Sequence, residues 1–379
     1  MRFKKIVLFS IIPTLVVVIL LAVGFVAGHY MVTNPFNEQI DEWSRAYTLG
    51  GFLNEEQKKT LVQVYHDQDK ALQEIDRFSW SVPNVPTPFV GNAPMPGRHG
   101  NAYVNSMQFR SKMEIPLPKP KDTFRIFLTG GSTAYSSGAP SEERTIAGYL
   151  LKYLSENLTP DTKLNYEVFT MANPSWSTTH ERIVIENKLS ELEPDLIISL
   201  SGNNDVHWGL LGRNVLWFRS LADDFFLNLI KEIYANAGQP EIPEVTRIEN
   251  KRIAPTLVAQ RLLKNVKLTS FALSLEGIDF IFFLQPNLPV TAKKLTDREK
   301  NASEPHSQGY FQDCYDLIDE ILRNLDIDNF VYFNLTRIFD DLDNQQDIFT
   351  DLYHFGDRGN EIIARNIFLK IKELEFSIK

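Results

Sequence analysis

The chain has 379 residues, with 39 Lys or Arg against 48 Asp or Glu and a net charge of −9. Its 43% hydrophobic and 23% charged residues exclude a disordered or collagen-like chain and leave room for one large domain or two ordinary ones. A net acidic chain without a basic stripe offers nucleic acid no attraction, and a single cysteine, Cys314, excludes both an internal disulfide and a Cys-based zinc site.

Residues Ile6 to Gly28 are 23 consecutive positions without Asp, Glu, Lys or Arg. At 1.5 Å per residue such a helix spans roughly 34 Å, enough to cross a hydrocarbon core. Arg2, Lys4 and Lys5 precede it and the next basic residue is Arg45, which puts the N-terminus in the cytoplasm and the body outside. A cleaved signal peptide is the rival reading. The run exceeds the roughly 7–15 apolar residues usual there, and Ala22 and Ala27 make no clean small-x-small site. Residues 1–32 are therefore expected to be a cytoplasmic stub and an uncleaved transmembrane anchor, giving a single-pass cell-membrane protein with an extracytoplasmic body.

Residues 33–122 read as a stem and approach segment. Leu61, Val64, Tyr65, Leu72 and Ile75 have helical spacing, and Pro83, Pro86, Pro88, Pro94 and Pro96 then predict loop or extended chain. Beyond Pro116, Pro118 and Pro120, five continuous apolar runs alternate with helical patterns: 125–129, 166–170, 195–200, 279–284 and 330–335. Continuous rather than alternating apolar runs suit parallel strands buried on both faces. Helices are expected over 145–158, 178–192, 310–325 and 361–374. The pattern predicts a three-layer α/β/α sandwich with a five-stranded parallel sheet over 123–379, its chemistry at the strands' C-terminal ends. The stretch 206–275 is too long for a simple crossover and reads as a helical insertion, either a cap beside the site or a surface excursion.

Three sequence features can carry chemistry. Ser132 follows Gly130-Gly131 at the first strand's end, where glycines permit a tight turn. Asn204, in Ser201-Gly202-Asn203-Asn204-Asp205, ends the third strand, and its amide can donate to a developing oxyanion. Asp351 stands three residues before His354 just ahead of the last helix, where a carboxylate can hold one imidazole nitrogen and leave the other as a base.

In that order the three blocks resemble the SGNH, or GDSL-like, hydrolases over roughly residue 105 to the end. Asn105-Ser106-Met107-Gln108-Phe109-Arg110 is similar to a stretch ahead of the nucleophile in a membrane-anchored bacterial branch. The resemblance implies a flavodoxin-like fold and a serine esterase without a cofactor. Ser132 would be the nucleophile, His354 the base and Asp351 its partner. The backbone N–H groups of Ser132 and Ser175 and the Asn204 amide would form the oxyanion hole. Ser175, in Asn173-Pro174-Ser175-Trp176, replaces the family's glycine; its N–H remains, but a position needing φ > 0 resists serine.

Tyr135, Trp176 and Trp208 flank the blocks and are candidates for stacking on a sugar. His180 and His207 lie near the blocks without a carboxylate at the right spacing, and His66, His99 and His306 show no metal-ligand spacing, so no metal site is expected. Cys314, between acidic and aromatic neighbours, reads as structural. Asn157, Asn301 and Asn334 begin Asn-x-Ser/Thr triplets, meaningful only in a eukaryotic secretory pathway. The expected substrate is an acyl ester, O-acetyl groups of an envelope or secreted polysaccharide among them. The alternatives are acyl transfer to polysaccharide and a silent protein that binds polysaccharide or a partner through the same cleft.

Overall fold

A computed structural model describes residues 18–26, 28, 45–213, 221–240, 251–303 and 305–374. The chain divides into two compact units, 1–46 and 47–379. In the first, residues 18–26 are helical, with Leu20, Leu21, Phe25 and Val26 exposed. Most of the expected span Ile6–Gly28 lies outside the described residues, and among the described residues no helix is long and apolar enough to cross a membrane.

The second unit begins at Tyr47. Helix Glu55–Leu61 starts with a reciprocal cap between Asn54 and Gln57, and helix Gln68–Glu74 starts with the Asp67 carboxylate accepting from the Lys70 N–H. Leu61, Val64, Tyr65, Ile75 and Phe78 close a small core of their own. The proline-rich stretch holds two hairpins: β1 (Asn84–Thr87) with β2 (Gly91–Pro94), and β3 (Gly97–His99) with β4 (Ala102–Val104). In the first, Pro86 and Pro94 are tolerated because each strand of a two-stranded hairpin has an edge that needs no donor. The break expected near residue 122 is absent, since 47–122 belongs to the same unit as the sheet. Arg110 shows why. Its N–H donates to the Thr170 carbonyl at 2.9 Å, and its guanidinium donates to the carbonyls of Tyr135 at 2.6 Å and Ser136 at 3.0 Å.

The sheet contains β5 (Thr123–Gly130), β6 (Asn165–Ala172), β7 (Leu196–Ser201), β8 (Asp279–Leu284) and β9 (Phe330–Asn334), all parallel, in the order β6-β5-β7-β8-β9. This is the flavodoxin-like order, with its reversal beside β5. Both faces are apolar. Ile126, Leu128, Ile198 and Phe283 pack with Leu150 and Leu154 of helix Ile146–Asn157 and with Ile363 and Ile367 of helix Asp357–Glu373. Phe127, Ile197 and Phe282 share the opposite core with Val184, Leu262, Val266 and Phe311. The buried charge of Arg125 is met by Glu167 at 2.8 Å and by the Leu192 and Pro116 carbonyls.

Within 206–275, Pro255–Leu275 is a helix that buries Val258, Leu262, Val266 and Leu273 and packs on helices Thr178–Val184 and Pro305–Arg323. It is the crossover from β7 to β8, and the excess length falls before it, where Leu221–Asn236 is helical and Leu229, Ile230, Ile233 and Tyr234 are exposed.

Candidate active site

The register brings Gly130, Ala172 and Leu200 level at one end of the sheet. The chain turns there because β5 ends in Gly130 and Gly131 follows it. Gly130 has φ +148° and a Cβ on it would overlap the Leu200 carbonyl; one on Gly131 would overlap the Asn204 amide. Ser132 then opens the short helix Ser132–Tyr135.

Ser132 Oγ lies 2.6 Å from His354 Nε2. His354 Nδ1 lies 2.9 Å and 2.8 Å from the two oxygens of Asp351. Asp351 Oδ1 also accepts from the backbone N–H groups of Tyr353 at 2.8 Å and His354 at 2.9 Å. Burial works to raise the Asp351 pKa, but His354 and these N–H donors prevail and hold it below the usual carboxylate range. The loop is clamped from both sides. Thr133 Oγ1 donates to the Tyr353 carbonyl at 3.1 Å, and the Leu288 N–H donates to the Leu352 carbonyl at 2.9 Å.

Asn204 follows Gly202, whose φ is +105°, in the turn after β7. Its Nδ2 donates to the Trp176 carbonyl at 2.7 Å. An amide nitrogen carries two hydrogens, so one N–H remains beside the Gly131–Ser132 turn. Ser175 has φ +73°, the left-handed conformation that favours glycine. Its carbonyl accepts from Trp208 Nε1 at 3.2 Å. These two turns are tied together by Asp205, which is buried and accepts from the Thr178 N–H at 3.1 Å and its hydroxyl at 2.6 Å. Burial pushes the Asp205 pKa up to about 7. Glu181, also buried, accepts from Thr129 at 2.9 Å and Ser199 at 2.5 Å, and burial raises its pKa as well.

The three aromatics expected to stack on a sugar are all buried. Tyr135 hydrogen-bonds Ser79 at 3.1 Å and lies under the Arg110 guanidinium, Trp176 stacks on His180, and Trp208 serves the Ser175 carbonyl. Nearness to a motif in sequence does not say which way a ring points: here Tyr135 and Trp176 join the two apolar cores, and Trp208 is buried against the Ser175 turn. In contrast, Trp80, which no motif singles out, packs against His354 with ring centroids 4.4 Å apart and stays partly exposed. His207 Nδ1 lies 3.2 Å from the Tyr353 hydroxyl, and His66 pairs with Glu361 at 2.8 Å. His306 lies outside the described side chains. Among the described residues no cluster of His, Cys, Asp and Glu is arranged to hold a metal. Cys314 is buried, and burial pushes its thiol pKa up to about 12.

No family model matches the sequence, and no curated protein matches it. Among solved structures, an acetyl xylan esterase overlaps 65% of this chain and 100% of its own at 13% identity and a TM-score of 0.41. An alpha/beta hydrolase enzyme from the metagenome of Lake Arreo overlaps 66% and 96% at 13% identity and 0.42. A lipase from a goat rumen metagenome overlaps 67% and 99% at 11% identity and 0.38.

Proposed function

We propose that the chain is a serine esterase. The observation that carries this reading is the continuous link from Ser132 Oγ through the His354 ring to Asp351. His354 Nε2 takes the Ser132 proton as Oγ bonds to the ester carbonyl carbon, and Asp351 balances the imidazolium charge. The carbonyl oxygen becomes an oxyanion, held by the N–H groups of Ser132 and Ser175 and the free N–H of Asn204. As the carbon–alkoxy bond breaks, His354 returns the proton to the leaving alcohol. Water then attacks the acyl-enzyme by the same route, and the acid departs with Ser132 restored.

The N-terminal apolar run adds a location to this reading: a membrane anchor with the catalytic unit outside the cytoplasm, where acyl esters of an envelope or secreted polysaccharide are the accessible substrates. The test is hydrolysis of p-nitrophenyl acetate by the purified chain beside Ser132→Ala. The variant is expected to fold as wild type and to lose on the order of 10⁴-fold or more in kcat. Activity within tenfold of wild type would remove Ser132 from the mechanism.

A further inference from the structure

If His354 hands its proton to the leaving alcohol, that alcohol must lie at the His354 edge of the site, opposite the donors on Ser175 and Asn204. The ring that borders His354 is Trp80. Its ring meets the imidazole at a centroid distance of 4.4 Å and an interplanar angle of 62°, and part of it remains open to solvent. The other ring close to His354 is Tyr353, at 6.4 Å, and it is already stacked on Phe311 and bonded to His207. Trp80 is also a fixed surface. Its backbone N–H donates to the Tyr47 carbonyl at 2.8 Å, and in the neighbouring Ser79 the carbonyl accepts the Gly138 N–H at 2.7 Å while the N–H donates to Asn101 Oδ1 at 2.9 Å. Gly138, at φ +80°, packs beside the indole, with the position of a Cβ there 3.4 Å from the ring.

We propose that Trp80 is the platform of the leaving-alcohol subsite and that the alcohol it takes is a pyranose ring, so that the substrate is an acylated sugar. A pyranose has an apolar C–H face and a rim of hydroxyls, which matches an indole with an apolar body and one polar handle. This rests on the esterase reading above and deepens it.

The experiment compares kcat/KM for methyl 2-O-acetyl-β-D-xylopyranoside and for ethyl acetate, which share an acyl group and differ in the alcohol. Their ratio cancels general damage to His354. In Trp80→Ala the ratio is expected to fall at least about tenfold, chiefly through KM for the sugar ester, and Trp80→Phe is expected to recover part of it. Trp80→Leu, which keeps apolar bulk without a π face, replaces the alanine variant if that one does not fold. An unchanged ratio overturns the subsite, as does a wild type that hydrolyses ethyl acetate and ignores the pyranoside. A wild type inactive on both esters, or a fully active Ser132→Ala, removes the esterase reading and the subsite with it.

Discussion

Ser175 is a serine held at φ +73°. A left-handed conformation costs a residue with a Cβ roughly 1–2 kcal/mol, and glycine there adds about 0.5–1 kcal/mol of freedom to the unfolded chain. Ser175→Gly is therefore expected to hold or raise stability by up to about 1 kcal/mol, and to hold or raise activity, because the N–H donor stays. A calorimetric midpoint that falls, or a loss of activity without unfolding, would give the serine hydroxyl a role of its own. Asn204 makes the opposite case under the esterase reading, which makes its side chain the donor. Asn204→Ala is expected to lower kcat by roughly 10²–10³ with little change in KM. A large rise in KM at unchanged kcat would make Asn204 a ground-state substrate ligand instead.

The two turns that carry Ser175 and Asn204 belong to different strands, and Asp205 joins them through Thr178. Its surroundings are Thr178, the buried Glu181 and Arg261, and its pKa is raised by burial to about 7. The folded state thus keeps a proton that the unfolded chain releases near 3.8. Between those values the folded state binds more protons, so stability falls as pH rises and levels off above about 7. Asp205→Asn, neutral throughout, is expected to flatten this slope, by at most about 4 kcal/mol between pH 4 and pH 8. Equal slopes for variant and wild type in denaturant titrations would show that Asp205 is ionised at pH 4 as well. None of this coupling was legible in the sequence, where Asp205 was only the neighbour of Asn204. The strands were legible, because burial on both faces writes itself as uninterrupted apolar runs such as Ile126–Leu128 and Leu196–Ile198. So was the order of the Ser, Asn and Asp-x-x-His blocks, since each sits at the end of one element. The hairpins at 84–104 were hidden because proline signals an interruption and does not distinguish a loop from an edge strand. Trp80 was hidden because its meeting with His354 joins distant parts of the chain, and local pattern carries no trace of such a contact.

At the scale of the molecule, the segment before the sheet is built into the same compact unit as the candidate site. Asp357, buried at the start of the last helix, accepts the His66 N–H at 2.9 Å and the Arg144 guanidinium at 2.5 Å. Tyr65 donates to the Gly138 carbonyl at 2.8 Å, and Arg110 holds the carbonyls that end the Ser132 helix. Deleting residues up to 122 would strand these buried polar groups, each worth about 1–3 kcal/mol when left unpaired, and would uncover the apolar surface that Val82, Val104, Phe109 and Ile115 cover in the two cores of the sheet. Few domains have more than about 5–15 kcal/mol to lose. A chain starting at Tyr47 is therefore expected to unfold in one calorimetric transition and to retain esterase activity. A chain starting at Thr123 is expected to be insoluble or to bind hydrophobic dye without a cooperative transition. Recovery of a soluble, active 123–379 fragment would make 47–122 an accessory to the site, and Trp80 dispensable for the chemistry. An inactive but folded 47–379 fragment would assign residues 1–46 a part in catalysis that no contact within the second unit calls for.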